Sequence, residues 1–390
     1  MFTRAVCAGG LAVPLLLMVD RPALAQQTDD ETEARELAEL EAAMAKDRHK
    51  TSAASGGGLN PDISMVLDTA FAWFTAEQPL QSGAHDPNGN GFTFQQLELD
   101  ISSVVDPYFR LDAYLVFSTG GVEVEEAFGT TLGLPGSLQL RAGQFFSRFG
   151  RINSQHPHVW DFSDQPFMNG RLFSGEGMRG TGVELSWLTP LPWYAEIVAS
   201  STNPGGAAEH GDEAAEDDTE AHVEELIDLN HVIAVKQFFD VSDNWSLMWG
   251  ASAALTEKEY VAGTDLFLKY RPITRASETM VALQVEAMAR WRKVGGATFS
   301  DYGGYGQLVW RATRNWGLGA RYEYGSDDEI DPAAPDDRHR VSVQASMHPT
   351  EYSRVRLQGG LDYPQWQSDP DFSVFLATEF IIGAHGAHKF

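Results

Sequence analysis

The chain has 390 residues, and 28 Lys and Arg against 55 Asp and Glu leave a formal charge of −27. So acidic a chain has nothing with which to displace the counterions of nucleic acid or to hold an anionic membrane surface. Hydrophobic residues at 43% and aromatic residues at 11% are too many for a disordered chain, so a substantial folded body is expected.

Residues 1–25 read as a secretory signal peptide. Arg4 supplies the positive start, Ala5 to Met18 the apolar stretch, and Ala23, Leu24 and Ala25 the small-residue cleavage site. The single cysteine, Cys7, lies inside this segment, so the exported chain is expected to have neither disulfides nor thiolate metal sites. Residues 26–50 form a short helical or coiled segment. Within it, residues 29–50 (DDETEARELAELEAAMAKDRHK) carry Leu37, Leu40 and Met44 at helical spacing, with acids leading and bases trailing. Residues 51–61, opening TSAASGGG, are a flexible linker.

From 62 to 390 the dominant pattern is alternation. Leu97, Leu99 and Ile101 interleave with Glu98 and Asp100. Phe109, Leu111, Ala113 and Leu115 interleave with Arg110, Asp112 and Tyr114. The same period of two returns around Leu185, Leu247, Leu283, Val343 and Leu357, as expected for strands with one apolar and one polar face. Short turn signals such as Asp106-Pro107, Pro190 to Pro192 and Pro349 to Glu351 mostly alternate with longer polar or glycine-rich stretches near 75–92, 150–180, 203–229, 326–338 and 364–370. Short turns at one end and long loops at the other predict a transmembrane, antiparallel up-and-down all-β barrel of about sixteen strands. Many segments run to about ten residues, enough to cross a bilayer at a tilt, and closure alone satisfies the backbone of a lipid-exposed sheet. Trp187, Trp193, Tyr194, Trp245, Trp316, Tyr352 and Trp366 near strand ends suit an interfacial girdle.

Residues 122–128 (VEVEEAF), residues 138–150 (LQLRAGQFFSRFG) and the terminal Phe390 resemble Gram-negative outer-membrane porins, particularly the phosphate-selective porin O/P-like group. That resemblance implies location in the bacterial outer membrane, a long loop after the LQLRAGQFF strand, a homo-trimer, and recognition of Phe390 by the barrel-assembly machinery. Related sequences are sometimes labelled zinc-regulated TonB-dependent receptors. The chain departs from that class, since about 330 barrel residues do not supply a plug plus twenty-two strands.

If the polar positions face inward, Arg110, Asp112, Glu123, Arg141, Glu286, Arg321, Glu323, Arg354, Arg356 and Asp362 line the interior. Opposed charges there orient polar solutes, or else pair between strands and stiffen the wall. His156 and His158, with Asp161 and Asp164 close by, suggest a metal site, although zinc needs a third or fourth ligand at the same point. The acidic run 209–222 (EHGDEAAEDDTEAH) is a second place where zinc or calcium could gather weakly; no other cofactor is expected. Neither a Gly-x-Ser-x-Gly, a His-Glu-x-x-His nor a P-loop occurs, so an enzyme is not expected. The expected function is a porin-like channel passing small hydrophilic solutes or ions by passive diffusion. The alternative is a receptor or zinc-binding barrel whose loops capture a ligand.

Overall fold

The computed structural model describes residues 61–204, 226–276 and 278–383. The expected leader, the helical segment, nearly all of the linker, the acidic run 209–222 and Phe390 lie outside the described residues.

Alternation becomes strand throughout. The chain forms β1 (Asp62–Phe74), β2 (Gly91–Val104), β3 (Phe109–Ser118), β4 (Gly121–Thr131), β5 (Leu138–Phe146), β6 (Arg179–Leu188), β7 (Tyr194–Thr202) and β8 (Asn230–Ser242). It continues as β9 (Trp245–Leu255), β10 (Glu259–Tyr270), β11 (Met280–Val294), β12 (Ala297–Arg311), β13 (Trp316–Gly325), β14 (Arg338–Thr350), β15 (Ser353–Pro364) and β16 (Asp371–Gly383). Every neighbour pairing is antiparallel and sequential, and β16 returns to β1 to close the cylinder. At that seam Thr69 faces Thr378, their hydroxyl oxygens 2.9 Å apart.

The pleat sorts the side chains. On β14, Val341, Val343 and Met347 face out while Arg340, Ser342 and Gln344 are buried inside. Ile233, Leu308, Leu318, Leu357, Leu376 and Phe380 join the outer apolar surface, each roughly half exposed. A continuous belt of that kind has no stable place in water and suits lipid. Aromatic residues flank it. Tyr108, Trp187, Trp193, Trp245, Trp316 and Tyr352 stand at the short-turn end; Trp73, Phe92, Trp291, Tyr302 and Phe372 stand at the other.

Two irregularities matter for the interior. The β3–β4 register shifts between Tyr114 and Leu115, so Glu125 is an extra residue opposite the partner strand. A bulge re-aims side chains, and here consecutive residues Glu125 and Glu126 are both buried. Nearby, the β4–β5 ladder runs only from Ala127↔Gln144 to Thr130↔Arg141. Above it, side chains take over the unpaired backbone: Glu126 Oε1 accepts from the Phe146 N–H at 2.7 Å, and the Gln144 amide donates to the Val124 carbonyl.

Candidate functional site: an inward loop across the barrel

After β5 the chain turns into the cylinder. Residues 147–178 fold across its interior and return beside their start, where the Ser147 N–H donates to the Met178 carbonyl at 2.9 Å. Asn153 locks this neck, donating to both the Ser147 and Met178 carbonyls and accepting from the Met178 N–H. Gly150 makes the turn possible. Its φ is +58°, and a Cβ there would stand 2.4 Å from Glu286 Oε2. Its N–H donates to Ser252 Oγ, and its carbonyl accepts from Lys236 Nζ.

The loop is held by wall residues on many strands. Arg148 pairs with Glu184 on β6 and Glu196 on β7. Glu286 on β11 accepts the Arg151 and Ile152 N–H groups at 2.8 and 2.9 Å. Arg354 and Arg356 on β15 donate to the carbonyls of His158, Trp160 and Phe162. Asp164 meets Arg321 at 2.6 Å and Arg340 at 3.3 Å, and accepts from Gln358 Nε2 at 2.7 Å. Burial works against the Asp164 charge, but Arg321 and Arg340 outweigh it and hold the carboxyl below its ordinary range.

A short helix, α1 (Phe167–Phe173), completes the loop, and its first free N–H, on Phe167, donates to Glu323 Oε2 at 2.7 Å. Phe149, Phe167, Met168, Leu172, Phe173 and Met178 form an apolar cluster with Val232, Ala254, Val261 and Met288 of the wall. Those four wall side chains point inward among the charged positions, because a packed apolar surface meets them there. Close approach depends on Gly303 and Gly325. A Cβ at either would come within 2.8 Å of Met168.

A second inward segment, 75–90, lies on the first. The Ala84 N–H donates to the Gly175 carbonyl, and Asp86 accepts from Gln165 N–H at 3.0 Å. Burial, reinforced by Asp164, pushes the Asp86 carboxyl up to about 7. Cavities beside the inward segments measure about 10 and 20 Å³, room for roughly one water each.

The charged residues expected to line the interior make ion pairs or hold the loop. Arg110 pairs with Asp112 at 2.7 Å, Arg141 with Glu184 at 2.9 Å, and Glu123 with Arg179. Asp362 receives Arg338 and Arg340 at 2.6 and 2.9 Å. Glu286, Arg321, Glu323, Arg354 and Arg356 grip the loop, as described above.

His156 and His158 come together against β2, their Nδ1 atoms 3.2 and 3.1 Å from Glu98 Oε2. Asp161 does not join them; it turns to the opposite wall, where Gln307 Nε2 is 3.4 Å away. His156 instead meets Glu125 at 2.8 Å and Glu126 at 2.9 Å. Burial opposes a charge on His156, but Glu98 and Glu125 outweigh it and hold its imidazolium well above the usual histidine range. Sequence reasoning passed over Glu125, Glu126, Asp86 and Arg340 as site residues, and placed Asp164 beside the histidines, whereas it pairs with Arg321 and Arg340. Only the adjacent Glu125 and Glu126, which break the alternation, left a local sign.

No family model matches the chain. Its fold is that of bacterial outer-membrane porins. A loop-deleted form of OmpT, an outer membrane protein of Vibrio cholerae, superposes with a TM-score of 0.53 at 10% identity, over 82% of this chain and 98% of that one. An anion-selective porin from Comamonas acidovorans gives 0.53 at 10% identity over the same shares. OprB of Pseudomonas putida gives 0.53 at 9%, over 82% and 93%. In sequence, an uncharacterized protein of Aquifex aeolicus (strain VF5) is 31% identical over 376 residues, covering 85% of this chain and 80% of that protein. With 31% identity over 85% of its length, this chain belongs to the same family as the Aquifex aeolicus protein.

Proposed function

We propose that the chain is an outer-membrane, porin-like channel of narrow bore, passing small hydrophilic solutes or ions by passive diffusion. The observation that carries this reading is a closed sixteen-strand barrel, apolar outside and charged inside, whose own loop 147–178 crosses the interior. The inward loop and segment 75–90 both occupy the interior, which favours ions and very small solutes over sugars or peptides. A formal charge of −27 favours weak cation preference, while arginines such as Arg340 and Arg356 are committed to carboxylates and carbonyls rather than to passing anions. The proposal includes insertion through the barrel-assembly machinery acting on Phe390, and a homo-trimer that cross-linking in the membrane would register.

Planar-bilayer recording tests it. The wild-type protein is expected to give small, discrete, weakly cation-selective currents. Because the loop's ends already meet at Ser147 and Met178, a short glycine-serine bridge can replace residues 151–176. That variant is expected to conduct severalfold more. A bilayer that stays sealed with both proteins overturns the channel.

A further inference from the structure

The β4 bulge delivers two adjacent glutamates to the place where the inward loop brings its histidines. Glu98, Glu125 and His156 are all buried, and one potential ligand atom from each lies within 4.8 Å of the other two. His156 Nδ1 faces Glu98 Oε2 at 3.2 Å and Glu125 Oε2 at 2.8 Å. One N–H cannot serve both, so among the described residues Glu125 Oε2 is buried in ionic contact with His156 but makes no hydrogen bond of acceptable geometry, and Glu98 Oε1 has no hydrogen-bond partner. The other ring nitrogen, Nε2, is held by Glu126 Oε2 at 2.9 Å. A carboxylate on the far nitrogen is the usual means of fixing the tautomer of a metal-bound imidazole.

We propose that Glu98, Glu125 and His156 form a binding centre for one divalent transition-metal ion of the zinc type, with Glu126 orienting the imidazole. Bonds of about 2.0–2.2 Å to a tetrahedral ion separate its ligand atoms by about 3.3–3.6 Å, so from the observed 2.8 and 3.2 Å the ligands spread by several tenths of an ångström. One imidazole and two carboxylates suit zinc, manganese or iron, whereas calcium takes six to eight oxygens. A two-plus ion also meets the charge balance, because Glu98, Glu125 and Glu126 crowd one ring. Glu125 further belongs to a second set with His85 and Glu176, which extends the cluster towards segment 75–90. The site does not depend on conduction; a barrel that passed no current would still bind the ion.

The test uses the full chain in detergent, stripped with a chelator, its folded state monitored by heat-dependent gel migration. Calorimetry with zinc alone is expected to show one saturable site per chain that a comparable concentration of calcium does not occupy. The isosteric variants E98Q and E125Q, and H156A, are each expected to weaken it at least tenfold, and E126Q by about 10–100-fold. Cobalt titration of the unmutated protein gives a reading independent of how the variants fold, and the intense visible bands of four-coordinate cobalt are expected. An absence of saturable zinc binding, or the faint spectrum of six-coordinate cobalt, overturns the proposal. So does binding that survives in folded E125Q but disappears when residues 209–222 are removed.

Discussion

Asp164 sits two residues beyond Phe162 in the chain yet reaches β13, β14 and β15 at once, through Arg321, Arg340 and Gln358. Replacing it with alanine leaves Arg321 buried with one of its two carboxylate partners gone. Removing one member of a buried ion pair costs about 3–5 kcal/mol. Asp164→Ala should therefore lower the urea midpoint of the refolded barrel and add open-channel noise as the loop loosens. A midpoint unchanged from wild type would mean that the loop is held elsewhere. Asp86 supplies a pH dependence of the opposite kind to an ordinary ion-paired carboxylate. Its folded pKa of about 7 stands above the ordinary 3.8, so its stabilising contribution is complete below 3.8 and is lost as pH rises through about 7. Ionised Asp86 is buried against the Asp164 charge, so segment 75–90 should loosen from the loop across that window, raising conductance between pH 5 and pH 8. Asp86→Asn should flatten the profile, and an equally steep profile in that variant would remove Asp86 as its cause.

At the scale of elements, the strands were legible because a period of two is written locally: β14 announces its own inner and outer faces from Arg340 to Met347. The path of loop 147–178 was not, because its partners lie far away in sequence. Asp164 is 157 residues from Arg321 and 194 from Gln358, and nothing near Asp164 names either. The histidine pair was visible, but its company was misjudged. Asp161 is closer in sequence, while Glu98 and Glu125 are brought in by β2 and β4. The apolar loop residues Phe162, Phe167, Leu172 and Phe173 gave a sign of burial that a polar-loop reading underweighted. In retrospect, the inward-facing Val232, Val261 and Met288 are what such a loop requires of its wall.

At the scale of the whole molecule, the outer belt decides where the protein can be stable. Val343 stands midway along β14, 56% exposed and facing out. An arginine at a lipid-facing midplane position costs about 2–4 kcal/mol, falling to about 0–1 near the interfaces. Val343→Arg should thus impair folding into vesicles far more than Tyr352→Arg at the strand end, as read from urea titrations in lipid. Equal effects at both positions would mean that the bilayer does not sit where the belt places it.

The seam between β1 and β16 joins residues more than three hundred positions apart, Thr69 to Thr378 among them. A ribosome finishes the first edge long before the second exists. Until the last segment emerges, every partial sheet carries an unsatisfied border open to any passing strand. The newborn chain must therefore travel unclosed, under escort, and become a cylinder only after its synthesis has ended.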